Sequence, residues 1–587
     1  MNTAAFVALL MHGGKMRSER LGRFIGHIRH HSGLEPLLDV PGMLVLGALR
    51  APHVMLPSGG GLIWGHLFDR NSNGRLLSTD EKPGLNAPAE RFVERCWGGY
   101  AAFRMIDGRP EILRDPSGDV PCYHAVVDGV HLVTSRPALL FDCALMRPEI
   151  DWTILAQSLA FRDIRPARTA LKGVSELHPG MAATVEEDRL EARCIWSPWT
   201  FTAERLEIRD AATAADLVRK TANQCLSAWG QCFEKPIVEI SGGLDSAIVA
   251  AGLLSAGVRP TALTFTRASG DPDELPYATA IADRLGIKLH ASGLDASDVD
   301  LNRSEARDLP RPSTRNFSQA MDRPVSELAE RTGADAFFSG GGGDNVFCHI
   351  MSALPVLDRL YRCGPLGVPQ TAIDIARLTE VTVWEVIATA ARQAGRGKRS
   401  LPPPRRNRFL ADAATERLPV PVGHPWLEAI PSALPAKRRH VWSLIGIQNH
   451  MEGYARLARG PIVSPLLSQP LVELCLRIPT WLWCEGGSNR AVARTAYRDL
   501  LPAAVIERRS KGVFDSFGAR IINSNRALLR GMLSSGGLAR EGLLSIESVT
   551  RYLDHALLDG EGIVQLLALA DVEAWLQAWE KRLPPAA

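Results

Sequence analysis

Two short runs of glycine, serine and aspartate have the residue types needed to bind phosphate groups. The first, SGGLDS at residues 241–246, follows the apolar stretch PIVEI and precedes a segment with a helical pattern. Glycine lets the main chain turn and bring N–H groups against an anion, and a helix that begins there points its positive end at the same place. The run therefore predicts a pyrophosphate-binding loop formed by Ser241, Gly242, Gly243, Leu244, Asp245 and Ser246.

Asp245 indicates that this loop also binds a metal ion. No lysine follows the glycines, so the run differs from the loop that holds ATP for transfer of its terminal phosphate. A carboxylate beside phosphate groups repels them unless a divalent cation lies between, and Mg²⁺ is commonly held by one or two carboxylates together with phosphate oxygens. We therefore predict that Asp245 is a Mg²⁺ ligand.

The second run, SGGGGD, lies within AFFSGGGGDNVF at residues 336–347 and again follows an apolar stretch. A glycine run by itself is usually a plain tight turn. Together with SGGLDS it favours a second binding loop, because loops at the carboxyl ends of neighbouring parallel strands are the usual place for a nucleotide. We predict that Ser339 and Gly340 bind phosphate and that Asp344 is the second Mg²⁺ ligand.

The elements that must position these loops change character along the chain. Short apolar runs broken by Gly, Pro and Asp up to residue 199 predict a sheet-rich part. Helices at 211–229 and 246–256 then alternate with strands at 236–240 and 261–265, which predicts an α/β fold with a parallel sheet covered by helices. Beyond residue 346 the pattern is mostly helical as far as residue 579.

The composition excludes several classes of protein. A chain of 587 residues with 46% hydrophobic and 22% charged residues is globular and holds more than one domain. A net charge of +3 is too small for a protein whose main partner is a nucleic acid. The ten cysteines form no CxxC pair, and no apolar stretch reaches the roughly 20 residues of a membrane span. We therefore expect a cytoplasmic protein without an integral membrane segment or a nucleic-acid partner.

A segment at residues 395–425 contains six prolines and several arginines. We expect a mobile, solvated segment there, and a basic docking strip for a peptide or partner protein is the alternative.

For three further charged residues, the sequence allows more than one role. Arg490 and Arg494 lie one turn apart on a predicted helix, where they contact pyrophosphate or peptide or form a solvated face. Glu274 meets an amine or metal, or is simply an acidic helix start.

With its two glycine runs and four other motifs in the same order, the chain resembles the asparagine synthetase superfamily. Those motifs are RDPSGDVPCY at 114–123, LKGVSELHPG at 171–180, SPLLSQPLVE at 464–473 and LPAAVIERRSKGVF at 501–514. The resemblance implies a glutaminase-like sandwich domain of the Ntn-hydrolase type at residues 1–200. It implies a doubly wound ATP-pyrophosphatase (PP-loop) domain at residues 205–587, which forms an acyl-adenylate and passes the acyl group to an amine.

Lys511 is the leading catalytic residue that the resemblance implies, together with Asp245 and Asp344. A lysine in a basic RRSK run is more often a solvated side chain. The matching lysine of the superfamily, however, neutralises charge that develops on the adenylate and pyrophosphate, which is electrostatic stabilisation of a transition state.

Two departures from the superfamily narrow the function. Glutamine-dependent asparagine synthetases have a nucleophilic cysteine directly after the initiator methionine, whereas this chain has Asn2 and no cysteine before Cys96. The sandwich domain is therefore predicted to be catalytically silent. Asparagine synthetases have glutamate and beta-lactam synthetases have tyrosine after the SG of the second loop, where this chain has Gly341. The lost side chain predicts space for a bulky substrate and leaves the general base unassigned.

These departures make the chain resemble lasso-peptide cyclases most. That resemblance implies adenylation of an Asp or Glu side chain in a short precursor peptide, followed by attack of the peptide's N-terminal amine. A leader peptidase and a leader-binding protein are the implied partners. The alternatives are an amide ligase for a small substrate, as in asparagine or beta-lactam synthesis, and a non-catalytic binding scaffold.

Overall fold

The fold is described from a computed structural model of the chain. The described residues are 5–11, 19–56, 60–72, 74–77, 87–186, 189–266, 274–395, 407–416, 418–419, 423–428, 430–509, 515–555 and 558–582.

The N-terminal part is built mainly of antiparallel strands. They are β1 (Phe6–Leu10), β2 (Glu35–Val40), β3 (Met43–Gly47), β4 (His53–Met55), β5 (Gly61–Asp69), β6 (Arg75–Leu76), β7 (Cys96–Ile106), β8 (Arg109–Arg114), β9 (Tyr123–Val127), β10 (Val130–Thr134), β11 (Val174–Glu176), β12 (Met181–Glu186) and β13 (Arg189–Cys194). The helices of this part are α1 (Glu19–Ser32), α2 (Ala89–Arg95), α3 (Ala138–Asp142) and α4 (Trp152–Ala160).

These strands form two sheets that stack face to face. The first has the order β11-β9-β10-β1-β3-β2, and the second has the order β13-β12-β8-β7-β5-β4 with β6 paired to β5. Phe6 of the first sheet meets Trp64 and Phe103 of the second, with ring centroids 5.8 and 5.1 Å apart. The predicted sheet-rich sandwich is therefore present, because alternate residues of both sheets are apolar and face each other. Its glutaminase-like ancestry and the domain limits at residues 200–205 stay predictions.

The C-terminal part combines five strands with many helices. The strands are β14 (Pro236–Glu239), β15 (Thr261–Thr266), β16 (Leu289–Gly293), β17 (Ala336–Phe338) and β18 (Ile462–Val463). The helices are α5 (Ala211–Gly230), α6 (Leu244–Ser255), α7 (Leu275–Leu285), α8 (Ser318–Thr332), α9 (Gly343–Val346), α10 (Leu354–Cys363), α11 (Val368–Thr379), α12 (Val383–Gly395), α13 (Asp412–Thr415), α14 (Pro435–Gln448), α15 (Gln469–Arg477), α16 (Ala491–Ala496), α17 (Ala503–Ile506), α18 (Asp515–Ser524), α19 (Arg526–Ser535), α20 (Gly537–Arg540), α21 (Ile546–Asp554) and α22 (Gly560–Glu580). None of the helices in the described ranges is long and apolar enough to cross a membrane.

The five strands form one parallel sheet with the order β16-β15-β14-β17-β18. Ile237, Leu263 and Phe337 face α8 on one side, while Val238 and Phe338 face the core that includes α6 on the other. The predicted parallel sheet covered by helices is confirmed, and the predicted elements between 211 and 265 agree within two residues. Strand β18 was not predicted, because two residues are too few to show a pattern.

A buried ionic cluster joins the sandwich to the C-terminal part. Glu176 accepts hydrogen bonds from Arg114 at 2.8 Å and Arg165 at 2.8 Å, and it pairs with Arg311 at 3.0 Å. Arg165 also pairs with Glu452 at 2.6 Å. Burial raises the pKa of the Glu176 carboxyl, but Arg165, Arg311 and Arg114 outweigh burial and hold this pKa well below its ordinary value.

Only part of the segment predicted to be mobile, at residues 395–425, lies within the described ranges. There Phe409 is fully buried and Leu410 is nearly so, while Arg408 pairs with Asp559 at 2.7 Å. These two apolar side chains anchor the chain locally, whereas Asp412 and Ala413 are exposed, so the mobility of the segment stays a prediction. Residues 396–406, with most of the basic side chains, lie outside the described ranges.

Replacing Glu176 with alanine should destabilise the contact between the two parts by about 3–5 kcal/mol, because three buried arginines would lose the carboxylate that they share and Arg165 alone would keep a pair, with Glu452. The Glu176 pKa is lower in the folded state, so its contribution is present above pH ~4.5 and is lost as the pH falls below that value. Urea unfolding at pH 7 and pH 4 checks both expectations.

Glu149→Ala is the control for this prediction, because Glu149 forms only an exposed pair with Lys172. We expect its urea midpoint to equal that of the unaltered protein. Equal midpoints for Glu176→Ala and Glu149→Ala at pH 7 would contradict the proposed role of the cluster.

Candidate functional site

The two glycine loops lie side by side because they follow paired strands. Strand β14 leads into SGGLDS, strand β17 leads into SGGGGD, and the two strands are parallel neighbours with Val238 opposite Phe338. Helix α6 begins at Leu244, inside the first loop. Both loops therefore stand at the carboxyl edge of the sheet, as predicted for Asp245 and Asp344.

The loops touch without space for side chains between them. A Cβ atom on Gly340 would lie 2.6 Å from the main-chain nitrogen of Ser246, and a Cβ atom on Gly343 would lie 2.6 Å from the Cβ atom of Asp245. Both distances are shorter than any ordinary carbon contact. Glycine is therefore needed at both positions for the second loop to rest on the first.

Within the first loop, glycine and serine fix the shape of the turn. Gly242 has φ +66°, and a Cβ atom there would lie 2.8 Å from the Cβ atom of Tyr277. The Ser246 hydroxyl accepts a hydrogen bond from the main-chain N–H of Ser241 at 3.2 Å and donates one to the carbonyl of Gly243 at 3.2 Å. Ser339 plays a similar part in the second loop, where its hydroxyl accepts a hydrogen bond from the N–H of Gly341 at 3.1 Å.

Arg490 connects the two predicted metal ligands. Its Nη1 atom lies 2.7 Å from Oδ2 of Asp245 and 2.6 Å from Oδ1 of Asp344. Because one nitrogen contacts both carboxylates, the two oxygens are close enough to share a single cation. Arg490 is therefore not part of a solvated face, since its side chain is only 12% exposed, and its contact with pyrophosphate or peptide stays a prediction.

Arg490 and Arg494 were predicted one turn apart on the same helix, but only Arg494 lies on a helix. It lies within α16, whereas Arg490 precedes that helix, and its guanidinium donates to the carbonyls of Asn489 at 2.7 Å and Arg508 at 2.9 Å and to that of Ile506. Burial lowers the pKa of Arg494 to about 10, so it remains charged at neutral pH. Arg494 therefore holds the start of α16 against the segment that leads to Lys511.

Arg508 ties that same segment to the first loop. It donates to the carbonyl of Gly242 at 3.1 Å and to both carboxylate oxygens of Glu274 at 2.8 and 3.0 Å, and its guanidinium lies 3.9 Å from the ring centre of Tyr277. Glu274 is thus engaged with Arg508 at the start of α7. Lys511 lies outside the described residues, three positions beyond this anchor.

Gly341 stands next to two hydroxyl groups. A Cβ atom there would lie 3.3 Å from the Ser339 hydroxyl and 3.4 Å from the Ser464 hydroxyl, which is tight but leaves flexible groups as the neighbours. The space predicted at Gly341 is therefore limited at its first carbon. Gly342 rests on Leu467, because a Cβ atom on it would lie 2.5 Å from a Leu467 methyl.

The predicted silence of the sandwich domain rests on sequence alone, because Asn2 lies outside the described residues. Cys96, the first cysteine of the chain, is buried at the start of β7. Burial, followed by the charge of Asp69, raises the pKa of the Cys96 thiol to about 12, so it supplies no thiolate.

The residues at the loops are suited to a Mg²⁺ ion that protein carboxylates and phosphate oxygens would bind together. Their acidic oxygens are hard donors, and Arg490 shows that a positive charge is accommodated between them. No group of three or more His, Cys, Asp or Glu in the described ranges could hold a metal by itself. Asp245 and Asp344 are therefore suited to a cation whose other ligands are phosphate oxygens from a bound molecule.

The structure also adds residues that sequence reasoning missed. Arg508 and Ser464 lie inside motifs already noted, but nothing in the sequence shows that they meet the loops. His349 lies 3.4 Å from Asp344, because Cys348 adopts φ +51° and turns the chain back. A titratable residue five positions after Asp344 was the only signal for it.

Comparison with known proteins gives one family match. Residues 233–363 and 462–580, less than half of the chain, match the family model for asparagine synthase. The matched ranges contain both glycine loops, Ser464, Arg490 and Lys511. The C-terminal part is therefore asparagine synthase-like, as the motifs predicted.

A curated relative matches over a shorter range. The tRNA-specific 2-thiouridylase MnmA of Alkalilimnicola ehrlichii is 29% identical over an alignment of 178 residues that covers 27% of this chain and 48% of the relative. The chain thus spans about half the length of this relative.

Two solved structures align with 58% of this chain and 84% of their own. They are the allosteric regulatory enzyme of purine biosynthesis, at 9% identity, and the glutamine phosphoribosylpyrophosphate amidotransferase from B. subtilis complexed with ADP and GMP, at 10% identity. Their TM-scores of 0.20 are too low to indicate a shared overall fold.

The contact between the loops predicts different outcomes for two neighbouring glycines. Gly340→Ala should lower the free energy of unfolding by about 1–3 kcal/mol and weaken ATP binding, since its new carbon meets main-chain atoms that cannot move aside. Gly341→Ala meets only two hydroxyls and should keep both properties within error. Thermal unfolding with and without ATP·Mg²⁺ compares the two variants, and equal behaviour would contradict the tight packing at Gly340.

Proposed function

We propose that this protein activates a carboxylate with ATP and joins it to an amine, releasing AMP and pyrophosphate. The observation that carries this proposal is the convergence of Asp245 and Asp344, from two touching glycine loops, on one cation position. The asparagine synthase-like ranges and the partial match to MnmA support an ATP-using ligase.

In the first step, an oxygen of the substrate carboxylate attacks the α-phosphorus of ATP, and the bond to pyrophosphate breaks. The main-chain N–H groups and the hydroxyls of the 241–246 loop hold the departing pyrophosphate at the start of α6. In the second step, the amine attacks the acyl carbon of the adenylate, AMP leaves, and the amine gives up one proton. Ser339 and Gly340, in the second glycine loop, bind the phosphates together with the first loop.

Two groups supply positive charge in this scheme. Asp245 and Asp344 would hold Mg²⁺, which would neutralise part of the charge on the phosphates. Lys511 neutralises the charge that grows on the α-phosphate and pyrophosphate, and Arg508 and Arg494 hold the segment that carries it.

The substrate we propose is a precursor peptide, which the protein closes into a lasso macrolactam. Its Asp or Glu side chain is adenylated, and its own N-terminal amine attacks. Gly341 supports this choice because no large side chain stands between Ser339 and Ser464. Asn2 supports it because ammonia from glutamine requires a nucleophile there. A leader peptidase and a leader-binding protein are the proposed partners.

Purified protein should release AMP and exchange labelled pyrophosphate into ATP when it is given a leaderless candidate peptide. We expect a peptide product lighter by one water, detected by mass spectrometry. Activity with free aspartate alone would exclude the peptide and favour a small-molecule amide ligase. Absence of ATP binding in calorimetry would favour a non-catalytic scaffold.

Asp245→Asn and Lys511→Ala should each lower the rate of AMP release by about 10²–10³-fold, since each removes a charge that stabilises the transition state. Arg530→Gln is the control, because Arg530 forms only an exposed pair with Asp554. It should retain the full rate. An unchanged rate in Lys511→Ala would remove Lys511 from the mechanism.

A further inference from the structure

Arg490 occupies the position where the proposed metal ion would sit. Its Nη1 atom contacts Asp245 at 2.7 Å and Asp344 at 2.6 Å, so a single protein cation bridges both acidic ligands. The Arg490 and Asp245 side chains are 12% and 13% exposed. Water therefore screens the pair of Arg490 with Asp245 only in part, whereas the Asp344 side chain is 46% exposed and its pair with Arg490 is screened more.

In the nucleotide-free protein, the bridge acts against electrostatic repulsion between Asp245 and Asp344. Loop packing at Gly343 holds the Asp245 side chain close to the residue before Asp344, so the two carboxylates cannot separate freely. Two like charges at short distance repel each other and disfavour the folded loops. The positive charge of Arg490, which contacts both carboxylates, lowers this repulsion when no metal is bound.

The main chain of Arg490 is held in an uncommon conformation that points to a specific role. Its φ of +54° and ψ of +34° lie in the left-handed region, which a residue with a long side chain rarely adopts. Asn489 is fixed beside it, because Arg494 donates to both the carbonyl and the side-chain oxygen of Asn489 at 2.7 and 2.9 Å. The surroundings thus impose the position of Arg490 on the chain.

We propose that Arg490 takes the place of the divalent cation until nucleotide binds, and so makes metal binding depend on nucleotide. This inference rests on the proposed function for the identity of the ligands. The phosphate groups of a metal–nucleotide complex would offer Arg490 new anionic partners, and Asp245 and Asp344 would then hold the metal ion. The ligand that this site selects is therefore the metal–nucleotide complex, and the free metal ion is excluded. Arg490 acts as a positioning residue for Asp245 and Asp344.

The test is a titration of the full-length, nucleotide-free protein with Mn²⁺. The EPR signal of free Mn²⁺ measures how much of the ion remains unbound. The unaltered protein should show no tight site until α,β-methylene-ATP is added. Arg490→Gln should gain one site per chain that binds Mn²⁺ at least about tenfold more tightly than the unaltered, nucleotide-free protein does. The reason is that Arg490 no longer compensates the repulsion between the two carboxylates, so a bound cation relieves it. Arg490→Lys should restore the exclusion of Mn²⁺ in part.

Two variants check the location and the specificity of this effect. Adding Asp245→Asn to Arg490→Gln should abolish the gained site, and Arg530→Gln, which removes a positive charge far along the chain, should gain none. Tight Mn²⁺ binding by the unaltered protein without nucleotide would overturn the inference, and so would an Arg490→Gln variant that gains no site. Failure of AMP release with any substrate leaves this measurement unaffected, so the two proposals fail separately.

Discussion

The site depends on how closely two loops approach each other. Gly340 and Gly343 place the second loop directly on Asp245 and Ser246 of the first, at a distance that only glycine permits. This contact brings two carboxylates together and creates the electrostatic problem that a cation must solve. The parallel pairing of β14 and β17 sets the position of both loops, so the sheet fixes the distance between charges.

The segment after β18 links this arrangement to the sandwich. Leu467 supports Gly342 of the second loop, and two residues later Gln469 donates to the carbonyl of Val93 in the sandwich at 2.9 Å. Glu473, on the same helix, accepts hydrogen bonds from Arg70 of the sandwich at 2.6 and 2.9 Å. The sandwich part therefore matters to the site, since it contacts helix α15, which follows the residue that supports the second loop.

The sequence was sufficient to predict local features of the fold and the site. Apolar runs followed by glycine and aspartate identified both loops, and the alternation of strands and helices identified the parallel sheet. It could not predict Arg490 as the bridge, because that contact spans more than a hundred residues and depends on a left-handed residue before α16. Arg508 was missed for the same reason, because its partners Gly242 and Glu274 are distant in the sequence. His349 is close to Asp344 in the sequence, but its contact depends on the left-handed conformation of Cys348, which no residue pattern shows.

Strand β18 has a consequence for the order in which the chain acquires structure. It pairs with β17 only after the ribosome has made all of the residues between Phe338 and Ile462. Until then β17 is an open sheet edge, and such edges attract other chains. A nascent chain that stops short of β18 therefore has both glycine loops but an unprotected strand beside them. Two residues in the C-terminal third of the chain therefore decide when this edge of the sheet becomes protected.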